Sequence, residues 1–127
     1  MKYILDTHTL IWFLEGNDSL SKTARNIIEE TESPKYASIA SIWEIAIKVS
    51  LEKLKLARAI ETFLFELSQT DITSLPVKLS HTLRLSKLEF FHKDPFDRLI
   101  IAQSLEEGFE VLTRDPNFPA YNIVTHW

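Results

Sequence analysis

Cysteine is missing from this chain of 127 residues, and glycine occurs only twice. Without thiols there are no disulfides and no thiolate metal sites, so any bound metal must take oxygen or imidazole ligands, as fits a reducing compartment. The scarcity of glycine, beside 45% hydrophobic and 25% charged residues, excludes fibrous and disordered classes. Positive charge is also short. Lys and Arg number 14 against 18 Asp and Glu, a formal net charge of -4, which argues against nucleic-acid binding by bulk charge but leaves room for a local basic groove or a metal-mediated phosphate contact. Long apolar runs are absent too: the N-terminal "MKYILDTHTLIWFLEG" has one lysine and is interrupted by Asp6 and His8. It is neither a signal peptide nor a span of about 20 apolar residues, and a soluble cytoplasmic protein is the default expectation.

What is present is enough for one continuous core, so a single domain over residues 1–127 is expected. "KYIL" reads as a buried strand stopped by Asp6, followed by a helix over roughly 8–15. A helix capped by Ser19 or Ser21 precedes Pro34. "KYAS" makes a brief strand, "IASIWEIAIKVSLEKL" a helix apolar almost all round, and "ARAIETFLFELSQT" an amphipathic one. "DITSLPV" reads as a strand, "KLSHTLRLSKL" as a short helix, and "DPFDRLIIAQSLEEG" as a long helix closed by Gly108, before strands in "FEVLT" and "YNIVT". Strands alternating with helices imply parallel pairing through right-handed crossovers, hence an α/β sandwich with a mainly parallel central sheet flanked by helices. The acidic stretch at 15–32 and the basic one at 48–58 read as solvated faces or, for the latter, a local basic patch.

Four carboxylates fall where such a sheet places chemistry, beyond the carboxyl ends of its strands. Asp6 follows the first strand. Asp115 follows "EVLT", and Asp97 stands one turn into the last long helix, near the same rim. Each taken alone is accounted for as a loop or capping aspartate. In "HKDPFD", Asp94 before Pro95 is a good N-cap, and Asp97 either completes an acidic capping box or points elsewhere. Glu44 belongs to a narrow polar stripe of Ser41, Glu44, Lys48 and Glu52 on an otherwise apolar helix. An exposed Glu44–Lys48 pair would contribute only about 0.3 to 0.5 kcal/mol, whereas a stripe on a mostly buried helix must line a cleft. Clustered carboxylates repel one another unless a cation sits among them, and oxygen donors without thiols select Mg²⁺ or Mn²⁺.

"LDTHTLIW", "SIWEIAIK", "HKDPFDRLIIAQS" and "VLTRD" resemble, in order and spacing, the PIN-domain ribonucleases, particularly the VapC-like toxins of prokaryotic toxin–antitoxin pairs. The resemblance covers essentially the whole chain. It implies a PIN-like three-layer sandwich and a Mg²⁺- or Mn²⁺-dependent endoribonuclease, commonly a homodimer, neutralised by a small cognate antitoxin. It also implies Asp6, Glu44 and Asp97 as the principal metal-holding acids, Asp115 as the more variable fourth, and Asp94 as a cap with a supporting role. Relatives often carry glycine where this chain has Glu52, which bears on the turn there.

Around these acids, Thr7, Ser41 and Thr113 are candidates to orient carboxylates, with surface hydroxyls as the alternative. Arg98 and Lys48 are candidates for phosphate contact or for ion pairs with neighbouring acids. The histidines lack zinc spacing and read as structural or surface residues, His92 shaping the loop before Asp94. Trp12, Trp43, Phe90 and Phe91 read as core rather than as base-stacking platforms. Phosphotransfer to an aspartate is disfavoured because the position two after Asp6 is His8. A housekeeping nuclease without an antitoxin, or a non-catalytic interaction module, remain the alternatives.

Overall fold

In the computed structural model, which describes residues 1–127, the apolar run after Lys2 becomes β1 (Tyr3–Leu5), buried throughout. Its side chains alternate between two cores, as a strand covered on both faces requires. Tyr3 and Leu5 join Leu10, Ile45 and Phe63 on one face, while Ile4 joins Ile100, Val111 and Phe118 on the other. The remaining strands are β2 (Lys35–Ser38), β3 (Ile72–Leu75), β4 (Glu110–Leu112) and β5 (Thr125–His126). They form a five-stranded sheet in the order β3-β2-β1-β4-β5, and every neighbouring pair is parallel. The expected three-layer α/β sandwich is therefore observed, with a sheet that is wholly parallel.

The helices are α1 (Thr7–Glu15), α2 (Lys22–Glu29), α3 (Ile39–Ser50), α4 (Ile60–Ser68), α5 (Leu79–Ser86) and α6 (Pro95–Glu107). Local sequence sets their ends. Ser21 caps α2 through Ala24 N–H, and Gly16 and Gly108 close α1 and α6 in left-handed conformations with φ of 64° and 75°. None of these helices is long and apolar enough to cross a membrane. The chain order runs outwards from β1 to β3, then returns to the other side of β1 for β4. This reversal opens a crevice beyond the carboxyl ends of β1 and β4.

Two expectations about element ends are corrected. α3 stops at Ser50 rather than running through "LEKL", because Glu52 takes a left-handed φ of 58° and Lys53 N and Leu54 N both turn back onto Lys48 O. Likewise "YNIVT" is not one strand. Pro119–Tyr121 forms a 3₁₀ turn, Asn122 is left-handed at φ 61°, and pairing resumes only at Thr125. The Tyr121 ring is needed in the core beside Phe118, so the chain bends to deliver it there.

Candidate active site

Asp6 leaves β1 at the reversal point and becomes the N-cap of α1. Its Oδ1 accepts from Thr9 N (2.9 Å) and Thr9 Oγ1 (2.5 Å), and its Oδ2 accepts from Thr113 Oγ1 (2.5 Å), just past β4. Burial pushes the Asp6 carboxyl above its ordinary range, while these hydrogen bonds pull it back. Thr113 therefore orients a carboxylate and is not a surface hydroxyl. Thr9 escaped sequence reading although it lies three residues after the cap, the spacing of a capping interaction.

Glu44 lies on the turn of α3 that faces the start of α1 and is 3% exposed. Thr7 Oγ1 donates to its Oε1 (2.7 Å), Ser41 Oγ sits 3.0 Å from the same hydroxyl, and Lys48 Nζ donates to Oε2 (2.6 Å). The Lys48 ammonium is pushed above its usual range, first by the Glu44 hydrogen bond and further by the charges of Asp94 and Asp97. Glu44 and Lys48 are thus no exposed surface pair. The polar stripe lines the cleft, and Lys48 stands on its rim.

Asp94 and Asp97 part in role at the start of α6. Asp94 Oδ1 accepts from Asp97 N–H (2.9 Å) with Pro95 at the first helical position, so Asp94 is the cap. The Asp97 carboxylate is free of that work. Burial first, then the charges of Asp94, Asp6, Asp115 and Glu44, push its pKa up to about 8. One carboxyl that feels four others is the electrical sign of a shared cleft. Asp115, half-buried after β4, donates its N–H to Thr113 Oγ1 (3.0 Å) and accepts Asn117 N–H on Oδ1 (2.9 Å).

The nearest donor to Asp97 is His92. Its Nε2 is buried without a hydrogen-bond partner and lies 3.7 Å from Asp97 Oδ2, too far for a bond. The Tyr121 hydroxyl holds the ring from behind. It accepts from His92 N (3.2 Å) and Arg98 Nη1 (3.0 Å) and lies 2.9 Å from His92 Nδ1. A hydroxyl that already accepts twice offers its own proton to Nδ1, which leaves the imidazole proton on Nε2, facing Asp97. Arg98 therefore forms no ion pair with a neighbouring acid. It is buried, donates also to Glu89 O (2.8 Å), and stacks 3.9 Å from the Phe90 ring centroid. Tyr121 carried no signal in sequence, being remote and apolar in context.

Three aromatic expectations are also corrected. Trp43, Phe90 and Phe91 are exposed rather than core. Trp43 packs edge-on to Phe96, and Phe91 edge-on to Tyr121. Only Trp12 is partly buried against the core.

As arranged, no three acidic or histidine side chains come close enough to hold a metal ion. The donor set nonetheless fits a hard divalent cation in charge and type: all oxygen, no sulfur, with Asp97 kept hard to ionise by burial first and then by the neighbouring acids.

A sequence profile of the family described as PIN domain matches residues 3–124. Ribonuclease VapC22 of Mycobacterium tuberculosis (strain ATCC 25618 / H37Rv) is 29% identical over 112 residues, which span 88% of this chain and 85% of that protein. Among solved structures, VapBC2 from Rickettsia felis bound to a promoter DNA fragment superposes with a TM-score of 0.75 at 15% identity, over 99% of this chain and 98% of that one. A toxin–antitoxin complex from Klebsiella pneumoniae superposes at 0.67 with 16% identity, over 98% and 96%. These two likenesses are of fold.

Proposed function

The chain belongs to the PIN-domain family, and on that premise we propose that it is a Mg²⁺- or Mn²⁺-dependent endoribonuclease acting as the toxin of a toxin–antitoxin pair. What supports this reading is that Asp6 and Asp115 line one surface pocket and that the Asp97 carboxyl, pushed up first by burial, feels the charges of Asp94, Asp6, Asp115 and Glu44. Asp6, Glu44, Asp97 and Asp115 would hold the cation, which supplies charge neutralisation at the phosphodiester and an activated water. The chain's own part is to fix the acids. Thr9 and Thr113 hold Asp6, Thr7 holds Glu44, and Asp97, the acid with fewest internal donors, is free to turn towards a ligand. Lys48 on the rim is placed to meet a phosphate oxygen once its pairing with Glu44 loosens.

The toxin reading is supported by the relative named Ribonuclease VapC22 and by the toxin–antitoxin complex from Klebsiella pneumoniae among the structural neighbours. A homodimer and a small antitoxin are proposed with it. The exposed Trp43, Leu79, Leu83 and Phe90 offer apolar surface for such contacts. Purified protein is expected to cut single-stranded or loop RNA with Mg²⁺ or Mn²⁺ and to stop when EDTA is added. Undiminished cleavage in excess chelator would reject the mechanism. A short neighbouring gene whose product inhibits cleavage separates a toxin from a housekeeping nuclease.

A further inference from the structure

Beside Asp6 and Asp115 the surface sinks into a small pocket completed by His8, Trp12, Arg114 and Pro116. Two elements build it. His8 and Trp12 stand one turn apart on α1, with ring centroids 5.6 Å from each other. Arg114 follows Thr113, whose hydroxyl is fixed on Asp6, so its starting point is set by the same bond that orients the acid. From there the guanidinium lies over the indole of Trp12, 4.5 Å from the ring centroid. Trp127 packs edge-on to Trp12, with ring centroids 5.9 Å apart.

The sequence alone assigned Trp12 to the core and His8 to structure or surface. Part of Trp12 does pack on the core, but the rest of it forms the pocket wall. Two facts do not suit a purely structural role. Arg114 is exposed and flanked by two acids of the cleft, Asp6 and Asp115, yet it rests on an aromatic face instead of pairing with either. A side chain that declines a nearby carboxylate keeps its charge and donors for something else. The second fact is place. The pocket shares Asp6 and Asp115 with the candidate active site, so a chain bound across those acids must pass it. A polyanion approaching a protein of net charge -4 meets there a cation, an imidazole and stacked π surfaces together, the combination that single-stranded nucleic acid uses.

We propose that Trp12, Arg114 and His8 form a nucleotide subsite for single-stranded RNA next to the acids. An unpaired base stacks on the Trp12–Arg114 pair, and Arg114 and His8 meet the adjoining phosphate. The subsite sets the distance between that base and the bond that is cut, and it favours unpaired RNA because a base inside a duplex has no free face to offer. The idea rests on the ribonuclease reading for its choice of ligand, and binding and cleavage are tested separately for that reason.

The experiment uses the full chain in EDTA with a short labelled single-stranded RNA of mixed sequence, followed by fluorescence anisotropy at several salt concentrations. Arg114→Gln, at an exposed position, is expected to weaken binding roughly tenfold and to lower the salt dependence by about one phosphate contact. Trp12→Leu is expected to weaken it by about five- to a hundredfold, the range of a lost base stack, with Trp12→Phe in between. Melting curves accompany each variant, and if Trp12→Leu does not fold, Arg114→Gln and Trp12→Phe decide. The same RNA annealed to its complement should bind wild type more weakly than the single strand. Wild-type affinity in Arg114→Gln and Trp12→Phe, equal binding of duplex and single strand, or no binding by wild type would each overturn the subsite. Cleavage with Mg²⁺ is the separate arm. Wild type that binds through these residues but never cuts would sink the ribonuclease reading and leave the subsite. Wild type that cuts, with both variants binding like it, would do the reverse.

Discussion

Asp97 and Glu44 are both acids of the cleft, yet the protein treats them differently. Glu44 is compensated by Thr7 and Lys48, whereas Asp97 has only a distant His92 and four repelling neighbours. In the absence of divalent metal the two substitutions should therefore act in opposite directions. A carboxyl raised to about 8 in the folded state binds its proton more tightly there than in the unfolded chain, where it titrates near 4. Stability falls as pH rises between those values, because over that range the unfolded chain releases the proton while the folded state still holds it. Asp97→Asn should flatten the decline and, in EDTA at pH 8, raise stability by roughly 1 to 3 kcal/mol after screening by water in the cleft. Glu44→Gln should lower stability in the same buffer, since it strands Lys48 beside its former partner. Both should abolish cleavage. Melting curves at pH 5 and pH 8 check the order, and a higher melting temperature for Glu44→Gln than for Asp97→Asn in EDTA would contradict it. A third residue carries a smaller test. Glu52 holds a φ of 58° without the freedom of glycine, so Glu52→Gly should stabilise the protein by roughly 0.5 to 1 kcal/mol.

At the scale of elements, the segment joining α5 to α6 is the least regular part near the site and the most dependent on one oxygen. The Tyr121 hydroxyl ties His92 and Arg98 together from across the fold. Tyr121→Phe keeps the ring in its core position and removes only that oxygen, leaving buried donors unmet at a cost of about 1 to 3 kcal/mol. Reduced cleavage should accompany the lower melting temperature, because the loop carries Asp94 into the start of α6. A variant with unchanged stability would show that water replaces the hydroxyl. Asp94→Ala removes a cap and should cost about 0.5 to 2 kcal/mol with only partial loss of activity, unlike Asp97→Asn. Much of this level was readable in advance. "DP" and Gly108 announce both ends of α6, and the polar stripe announces Glu44. The tie through Tyr121 was not readable, since it joins residues 29 positions apart through a side chain that sequence pattern assigns to the core. Exposure of Trp43, Phe90 and Phe91 was hidden for a related reason: apolar character marks what burial would favour, not which faces the fold has enough neighbours to cover.

For the whole molecule, the two cores share β1, whose successive residues belong to opposite faces. We propose that residues 1–127 behave as one domain, because neither face can lose its helices without exposing the strand that supports the other. Unfolding followed by tryptophan fluorescence and by far-ultraviolet circular dichroism should then give coincident single transitions. Divalent cation should raise stability by mass action, by about 2.7 kcal/mol at a hundred times its dissociation constant, shifting the midpoint upwards, and the gain should be lost in Asp97→Asn. Two separate transitions, or a midpoint indifferent to Mg²⁺ and Mn²⁺, would count against the domain and the metal proposals respectively.

The bond from Thr113 to Asp6 spans 107 positions of the chain, and β1 takes its place in the sheet between β2, which follows it soon, and β4, which follows it much later. On a translating ribosome, Asp6 is made well before β4 and waits for it. Until Thr113 is in place, Asp6 lacks the donor to its Oδ2, and Asp115 is missing from the cleft. On the ribonuclease reading proposed above, cleavage then waits for β4. Fragments that stop before β4 are expected not to cut.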